Sequence, residues 1–285
     1  MQTLFDNLNH EQANICMLVL SASGIACNSI KKKTGWEIRV EEADYETALE
    51  KLAQYFRENQ EGTPPPVPPP LGQYKTWSGV WTALLMAVFY WAVSYHGVAG
   101  TFLEKFGAAS GRIMDGEIYR TVTALMLHSD GPHLLGNMTG IALFGTAVCG
   151  VTRPGVGWLL ILLTGVFGNL ANAWLQLPGH VSIGASTAVF GAIGLLSAFQ
   201  FWDKYRRPGY RVKAWLPLAG GLALLGLLGT AGEHTDIMAH LFGLLAGCII
   251  GSAYSLSIHG PLPEKHQWTA WCITIGILLL AWFRG

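Results

Sequence analysis

Charge is what this sequence has little of: Asp, Glu, Lys and Arg make up 13% of its 285 residues and sum to a formal charge of zero. With no basic tract either, it lacks the electrostatic footprint of a nucleic-acid-binding protein. Cysteine is equally sparse. The five residues Cys16, Cys27, Cys149, Cys248 and Cys272 are odd in number, widely scattered and free of any Cys-x-x-Cys pair. That excludes a disulfide framework and a thiolate metal site and leaves them as small buried hydrophobes. His-Glu-x-x-His is missing, which removes zinc-protease chemistry, and no apolar run carries the Asp pair of an aspartyl site. Neither metal nor cofactor is expected. The stretch from Ile15 to Cys27 is apolar enough for a signal-peptide core, but no Lys or Arg precedes it and Ser21-Ala22-Ser23-Gly24 interrupts it, so a cleaved signal is disfavoured.

Apolar length is what the chain does have. Hydrophobic residues are 51% of the total, and they come in blocks near the roughly twenty residues that cross a bilayer as a helix. Seven spans are read, over residues 77–98, 132–151, 155–175, 185–202, 214–231, 237–257 and 268–283. The fold class is therefore a polytopic α-helical membrane protein with the lipid bilayer as its first partner. The loop between the fourth and fifth spans holds Lys204, Arg206, Arg207, Arg211 and Lys213, and the one between the sixth and seventh holds Lys265. The loops after the third and fifth spans hold no Lys or Arg. The positive-inside rule then places the amino terminus in the cytoplasm, and the membrane expected is a cell's inner (plasma) membrane. Lys105, Arg112 and Arg120, in the long loop after the first span, run against that rule, interspersed with Glu104, Asp115 and Glu117.

Residues 1–62 read as a small cytoplasmic α+β domain. Residues 14–30 are rich in strand formers, Lys31 to Gly35 resemble a turn, and Trp36 to Val40 alternate with period two, which is a hairpin signal. Tyr45, Ala48, Leu49, Leu52, Tyr55 and Phe56 recur at helical spacing, giving one helix to cover a face of that hairpin. No catalytic constellation lies here. Residues 63–76 form a proline-rich linker whose Thr63-Pro64-Pro65-Pro66-Val67-Pro68-Pro69-Pro70 enforces an extended spacer. Residues 77–257 hold six of the spans, and residues 258–285 add the seventh.

Parity places the chemistry. The second, fourth and sixth spans all run from outside to inside, so their early residues share one depth in the outer leaflet: His133 with Asn137, Ser186, and His240. Apart from His96 at an end, His133 and His240 are the only ionisable side chains within the spans as drawn, and such groups are costly in lipid and usually line a site or pathway. Ser186 is the candidate nucleophile, with His240 as general base and then general acid. His133 and Asn137, four apart, share one helix face. With the main-chain N–H of Ser186 at a helix start, they can donate hydrogen bonds to an oxyanion. Gly243, Gly247 and Gly251 make a small-residue seam on the sixth span, and Gly184, Ala188 and Gly191 are equally small on the fourth. If those two helices are neighbours, Ser186 and His240 come within reach.

Gly184-Ala185-Ser186, Phe190-Gly191, His133-Leu-Leu-Gly-Asn137 and Ala239-His240-Leu-Phe-Gly243, in this order on these spans, resemble the signatures of the rhomboid intramembrane serine proteases. The resemblance covers roughly residues 104–256. It implies a rhomboid-like six-helix core with an additional carboxy-terminal transmembrane helix, and a Ser186–His240 dyad without an acid. It also implies oxyanion donors at His133, Asn137 and Ser186, and substrates that are transmembrane proteins cleaved in or near their spans. Glu117-Ile118-Tyr119-Arg120 resembles the family's structural Glu-x-Trp-Arg element, and His128 a recurrent supporting histidine. Thr187 departs from the usual Gly-x-Ser-Gly, so either the fourth and sixth helices stand slightly apart or an adjacent side chain is smaller. Asp236 either orients His240 or caps the sixth helix. Asn169 and Asn172 either line a water-bearing cavity or bond between helices. Residues 230–235, with Gly229 and Gly232 as pivots, are expected to form a mobile cap. A non-catalytic rhomboid-like binding or chaperone protein is the alternative. A transporter is disfavoured because no span carries charge at its middle. Oligomeric state is left open.

Overall fold

The structure, a computed structural model, describes residues 1–32, 34–59, 74–207, 209–228, 236–258 and 260–285. The proline-rich stretch and the expected cap at 230–235 lie outside the described residues. By its contacts the chain divides into two compact units, Met1–Pro68 and Pro69–Gly285.

The first unit is a three-stranded sheet with two helices. β1 (Gln2–Leu8) is followed by α1 (His10–Ala22), β2 (Cys27–Lys31), β3 (Trp36–Val40) and α2 (Tyr45–Glu58). The sheet order is β1-β3-β2, with β3 antiparallel to both neighbours. The β2–β3 hairpin expected from the sequence is present, pairing Lys31 with Trp36 and Cys27 with Val40. The strand expected from residue 14 is not. Residues 14–22 belong to α1, because Asn9 and Gln12 close a capping box, each side chain accepting the other's main-chain N–H at 2.8 and 3.0 Å. Ala13, Cys16 and Leu20 then fall on one buried face at spacings of three and four. The α2 helix stands where its periodicity put it, burying Ala48 and Leu52 beside Ile38 and Val40.

In the second unit α3 (Ser78–Tyr95) leads into a long loop made of α4 (Ala99–Phe106), β4 (Ala108–Ala109), α5 (Ser110–Met114) and α6 (Arg120–Thr123). Next come α7 (Gly131–Gly140), a π-helical turn (Ile141–Gly145) and α8 (Thr146–Thr152), which together make one continuous 22-residue span. After α9 (Pro154–Leu175), β5 (Val181–Ser182) and α10 (Ser186–Tyr205), the chain closes with α11 (Leu216–Leu228), α12 (Ile237–Ser257) and α13 (Glu264–Arg284). Among the described residues, five helices are long and apolar enough to cross a membrane: Ser78–Tyr95, Gly131–Thr152, Pro154–Leu175, Ile237–Ser257 and Glu264–Arg284. They occupy the first, second, third, sixth and seventh expected spans, and the molecule is a multi-pass membrane protein. α10 stands at the fourth and carries Asp203 and Lys204 in its last turn, while the described part of the fifth is the shorter apolar helix α11.

Small residues set how close the spans come. A Cβ on Gly247 would strike the Gly191 carbonyl, and one on Gly251 would lie 2.9 Å from the Ala198 methyl, so α10 and α12 pack backbone to backbone. The fourth and sixth helices are therefore neighbours, as the seam requires. α13 is fastened to the α8–α9 turn by Gln267, which accepts from the Val156 N–H at 3.0 Å and donates to the Thr152 carbonyl at 3.0 Å. Gln267 is buried, and its amide thereby satisfies main-chain groups that two helix ends leave open.

Candidate active site

Ser186 is the first residue of α10, half-buried, and follows a short tied strand. β5 pairs with β4 through Ala108 and Ser182, and the Gly184 N–H donates to the Ala124 carbonyl at 2.9 Å. Gly184 has φ +113°, a conformation that disfavours any side chain. The space is also taken. A Cβ there would sit 2.6 Å from His133 Nε2, 2.8 Å from His133 Cε1 and 3.5 Å from Asn137 Nδ2. The imidazole edge and the amide thus lie against the loop two residues before Ser186.

His133 and Asn137 are held from their own helix. Asp130 caps α7, accepting the His133 main-chain N–H at 2.8 Å, with Pro132 in the first turn. Asn137 is buried and donates one amide hydrogen to the His133 carbonyl at 2.9 Å. Ser129 Oγ lies 2.6 Å from Asp130 Oδ2 and 3.1 Å from His133 Nδ1. When its hydroxyl donates to Asp130, Nδ1 of His133 must carry the proton given to Ser129. His128 sets its ring edge-on to His133 at 5.2 Å, and its Nδ1–H donates to the Met126 carbonyl at 3.2 Å. Burial pushes the His128 imidazole down to about 4, which keeps it neutral beside His133.

His240 stands one turn into α12, buried, its ring stacked on Phe190 at 4.6 Å and 29°. Phe190 is four residues after Ser186, one turn along α10. Thr187 is fully buried at the point where three helices meet. A Cβ on Gly168 of α9 would lie 2.5 Å from the Thr187 methyl and 3.0 Å from Gly243 Cα, and one on Gly243 would strike the Thr187 carbonyl. Of the two accommodations expected for Thr187, the structure uses the second: the neighbours are glycines and the helices remain in contact.

Asp236 is a cap. Its Oδ1 accepts the Ala239 N–H at 3.0 Å, while Oδ2 accepts from Asn172 Nδ2 and His180 Nε2, each at 2.7 Å. Asn169 donates to the Thr121 carbonyl at 2.9 Å, so both asparagines of α9 bond between segments. In the first loop, Arg120 is buried and meets Glu117 at 2.5 Å and the carbonyls of Glu104 and Gly107 at 2.9 and 3.0 Å. The Arg120 guanidinium holds the Glu117 carboxyl below the usual carboxylate range. This is a structural clamp, with Tyr119 donating to Glu117 at 3.1 Å.

Sequence reading missed Ser129, Asp130, His180 and Ser182. Asp130-Gly131-Pro132 carries a helix-start signal, a capping side chain followed by Pro in the first turn, and points to Asp130 in retrospect. Nothing local marks His180.

A family model described as Rhomboid domain matches residues 115–257. RHOMBOID-like protein 7 of Arabidopsis thaliana is 32% identical over 170 residues, which is 57% of this chain and 51% of that protein. Rhomboid-like protease 1 of Toxoplasma gondii is 29% identical over 188 residues, 64% of this chain and 62% of the relative. Rhomboid-like protease 5 of the same organism is 31% identical over 150 residues, 50% of this chain and 17% of its own length. The chain thus spans about half the length of the plant relative and less of the longer protease.

Proposed function

We propose that this chain, which belongs to the rhomboid family, is an intramembrane serine endopeptidase that hydrolyses peptide bonds in or near transmembrane segments of membrane proteins. Ser186 is the nucleophile and His240 the general base. Ser186 Oγ adds to the scissile carbonyl carbon as its proton passes to His240, and the tetrahedral oxyanion receives hydrogen bonds from His133, Asn137 and the Ser186 main-chain N–H. His240 returns the proton to the leaving amine. Water then adds to the acyl-enzyme with His240 again as base, releasing the acid and the serine. One observation carries this reading: His133 Nε2 and the Asn137 amide abut Gly184, while His240 stacks on Phe190, so side chains of α7 and α12 meet the serine helix on either side of its first turn.

The loop charges support an orientation with the amino-terminal unit in the cytoplasm and Ser186 toward the outer leaflet. The test is cleavage of a reporter transmembrane substrate by purified protein in liposomes, against Ser186→Ala and His240→Ala, with fluorophosphonate labelling of Ser186 alongside. Both variants are expected to lose cleavage, and Ser186→Ala to lose the label. Undiminished cleavage by either variant sinks the dyad. A wild-type chain that neither cleaves nor labels is a non-catalytic binding protein.

A further inference from the structure

Capping a helix needs one carboxylate oxygen, and Asp236 spends Oδ1 on that task, accepting the Ala239 N–H at 3.0 Å. Its other oxygen is taken by groups from elsewhere in the chain: Asn172 near the end of α9 and His180 in the loop beyond it, each at 2.7 Å. Burial pushes the Asp236 carboxyl upward, but the Ala239 N–H, His180, Asn172 and Ser182 outweigh it and hold it below the usual carboxylate range. The cap is an anion held by several donors.

His180 is itself gripped from the far side. Its carbonyl accepts the Ser110 N–H at 2.9 Å and the Ser110 hydroxyl at 3.2 Å, and Ser110 is buried. Immediately afterwards β5 pairs with β4, and three residues beyond β5 the chain enters α10 at Ser186. Through Asp236, the His180 imidazole reaches the helix turn that presents His240. The two halves of the dyad are therefore joined by a bond that belongs to neither of them.

We propose that His180 is a positioning residue which, through Asp236, fixes the first turn of the His240 helix against the strand that delivers Ser186. This rests on the serine-protease reading above. His180 touches no reacting atom in it; losing its bond lets the two helix starts drift, which slows the chemical step and leaves substrate docking intact. Hydrogen bonds to charged groups are among the stronger ones, so the effect is expected to be measurable from one side chain.

The experiment compares wild type, His180→Ala, His180→Gln, Asp236→Asn and the His180→Ala/Asp236→Asn double variant, purified in detergent as full chains. Cleavage kinetics on the reporter substrate and hydrogen exchange along α12 are both read. His180→Ala should lower kcat by about tenfold with KM within about twofold, and exchange in residues 237–241 should quicken by about tenfold while residues 247–257 stay as they were. Gln places an N–H donor the same number of bonds from Cβ and should restore both to within about threefold. The double variant should be no slower than Asp236→Asn alone. The proposal is overturned by an unchanged kcat and unchanged local exchange in His180→Ala. Effects of His180 and Asp236 that multiply independently, or exchange that quickens uniformly along α12, would overturn it too. Exchange does not depend on cleavage. Local loosening in a wild type that cleaves nothing would leave the coupling standing and remove the protease reading. A cleaving wild type with an indifferent His180→Ala would do the reverse.

Discussion

α10, which carries Ser186, and α3, the first membrane helix, are both apolar and of similar length, yet they end in opposite surroundings. α10 buries Thr187 to Leu195 without a break, together with Ser197, Ala198 and Phe199. α3 buries only Gly79, Ala83 and Met86 and turns Trp81, Leu84, Leu85, Val88 and Trp91 outward. The more apolar exterior belongs to the peripheral helix, because lipid tails are its solvent. Between helices already in lipid there is little hydrophobic drive, so close packing and hydrogen bonds decide which helix goes inside. Gly191 and Gly194 let α10 meet α12 backbone to backbone, with the Thr164 side chain filling the space beside Gly191. α10 carries Asp203 and Lys204 only past its buried run, where Asp203 pairs with Arg207 at 2.9 Å.

If size and not hydrophobicity places a helix at the centre, enlarging one seam residue should do the most damage. Gly247→Leu puts a side chain into the Gly191 carbonyl and should cost about 3 kcal/mol or more, since the backbone has no room to yield. Thermal unfolding in detergent measures it, and a wild-type melting curve would break the comparison. The next effect concerns the protein-filled interior near the site. His128 is held by burial at about 4 against an ordinary 6.5, so the folded state binds its proton less readily than the unfolded chain. Its contribution to stability is complete above about pH 6.5 and is lost progressively as pH falls toward 4. Thermal midpoints between pH 7 and 4.5 should fall less steeply in His128→Asn. An equal slope would show that His128 is not dry.

Smaller still is Thr187→Gly, which restores the usual family residue. It removes a methyl resting on Gly168 and adds a helix penalty, together about 1–2 kcal/mol. Cleavage should persist; its loss would mean that the methyl holds the site and does not merely fill it. At the bottom stands Leu85→Ala on the lipid face of α3, expected within about 0.5 kcal/mol. A cost comparable to that of the seam would mean that this face is covered by protein.

Much of this was legible in order along the chain. Ser186, His133, Asn137 and His240 were reached by span parity and motif, and the family match bears out the resemblance they carry. Thr187 was recognised as a departure, but its consequence depended on Gly168 and Gly243, which lie far from it in sequence. α1 is ambiguous in sequence because Ile15, Cys16, Val19 and Leu20 suit a strand as readily as a helix, and the Asn9–Gln12 capping box favours the helix. His180 was invisible, since its partner stands 56 residues away and a lone loop histidine announces nothing.

Membrane entry, the family and the order of the candidate site residues can be read along the chain, because apolar run length and residue type are local properties. Which helix lies at the centre, and what fastens the first turn of α12, emerge only on folding. Those outcomes rest on glycines matched across helices and on one carboxylate shared by three segments, and a contact between distant residues has no signature in either residue alone.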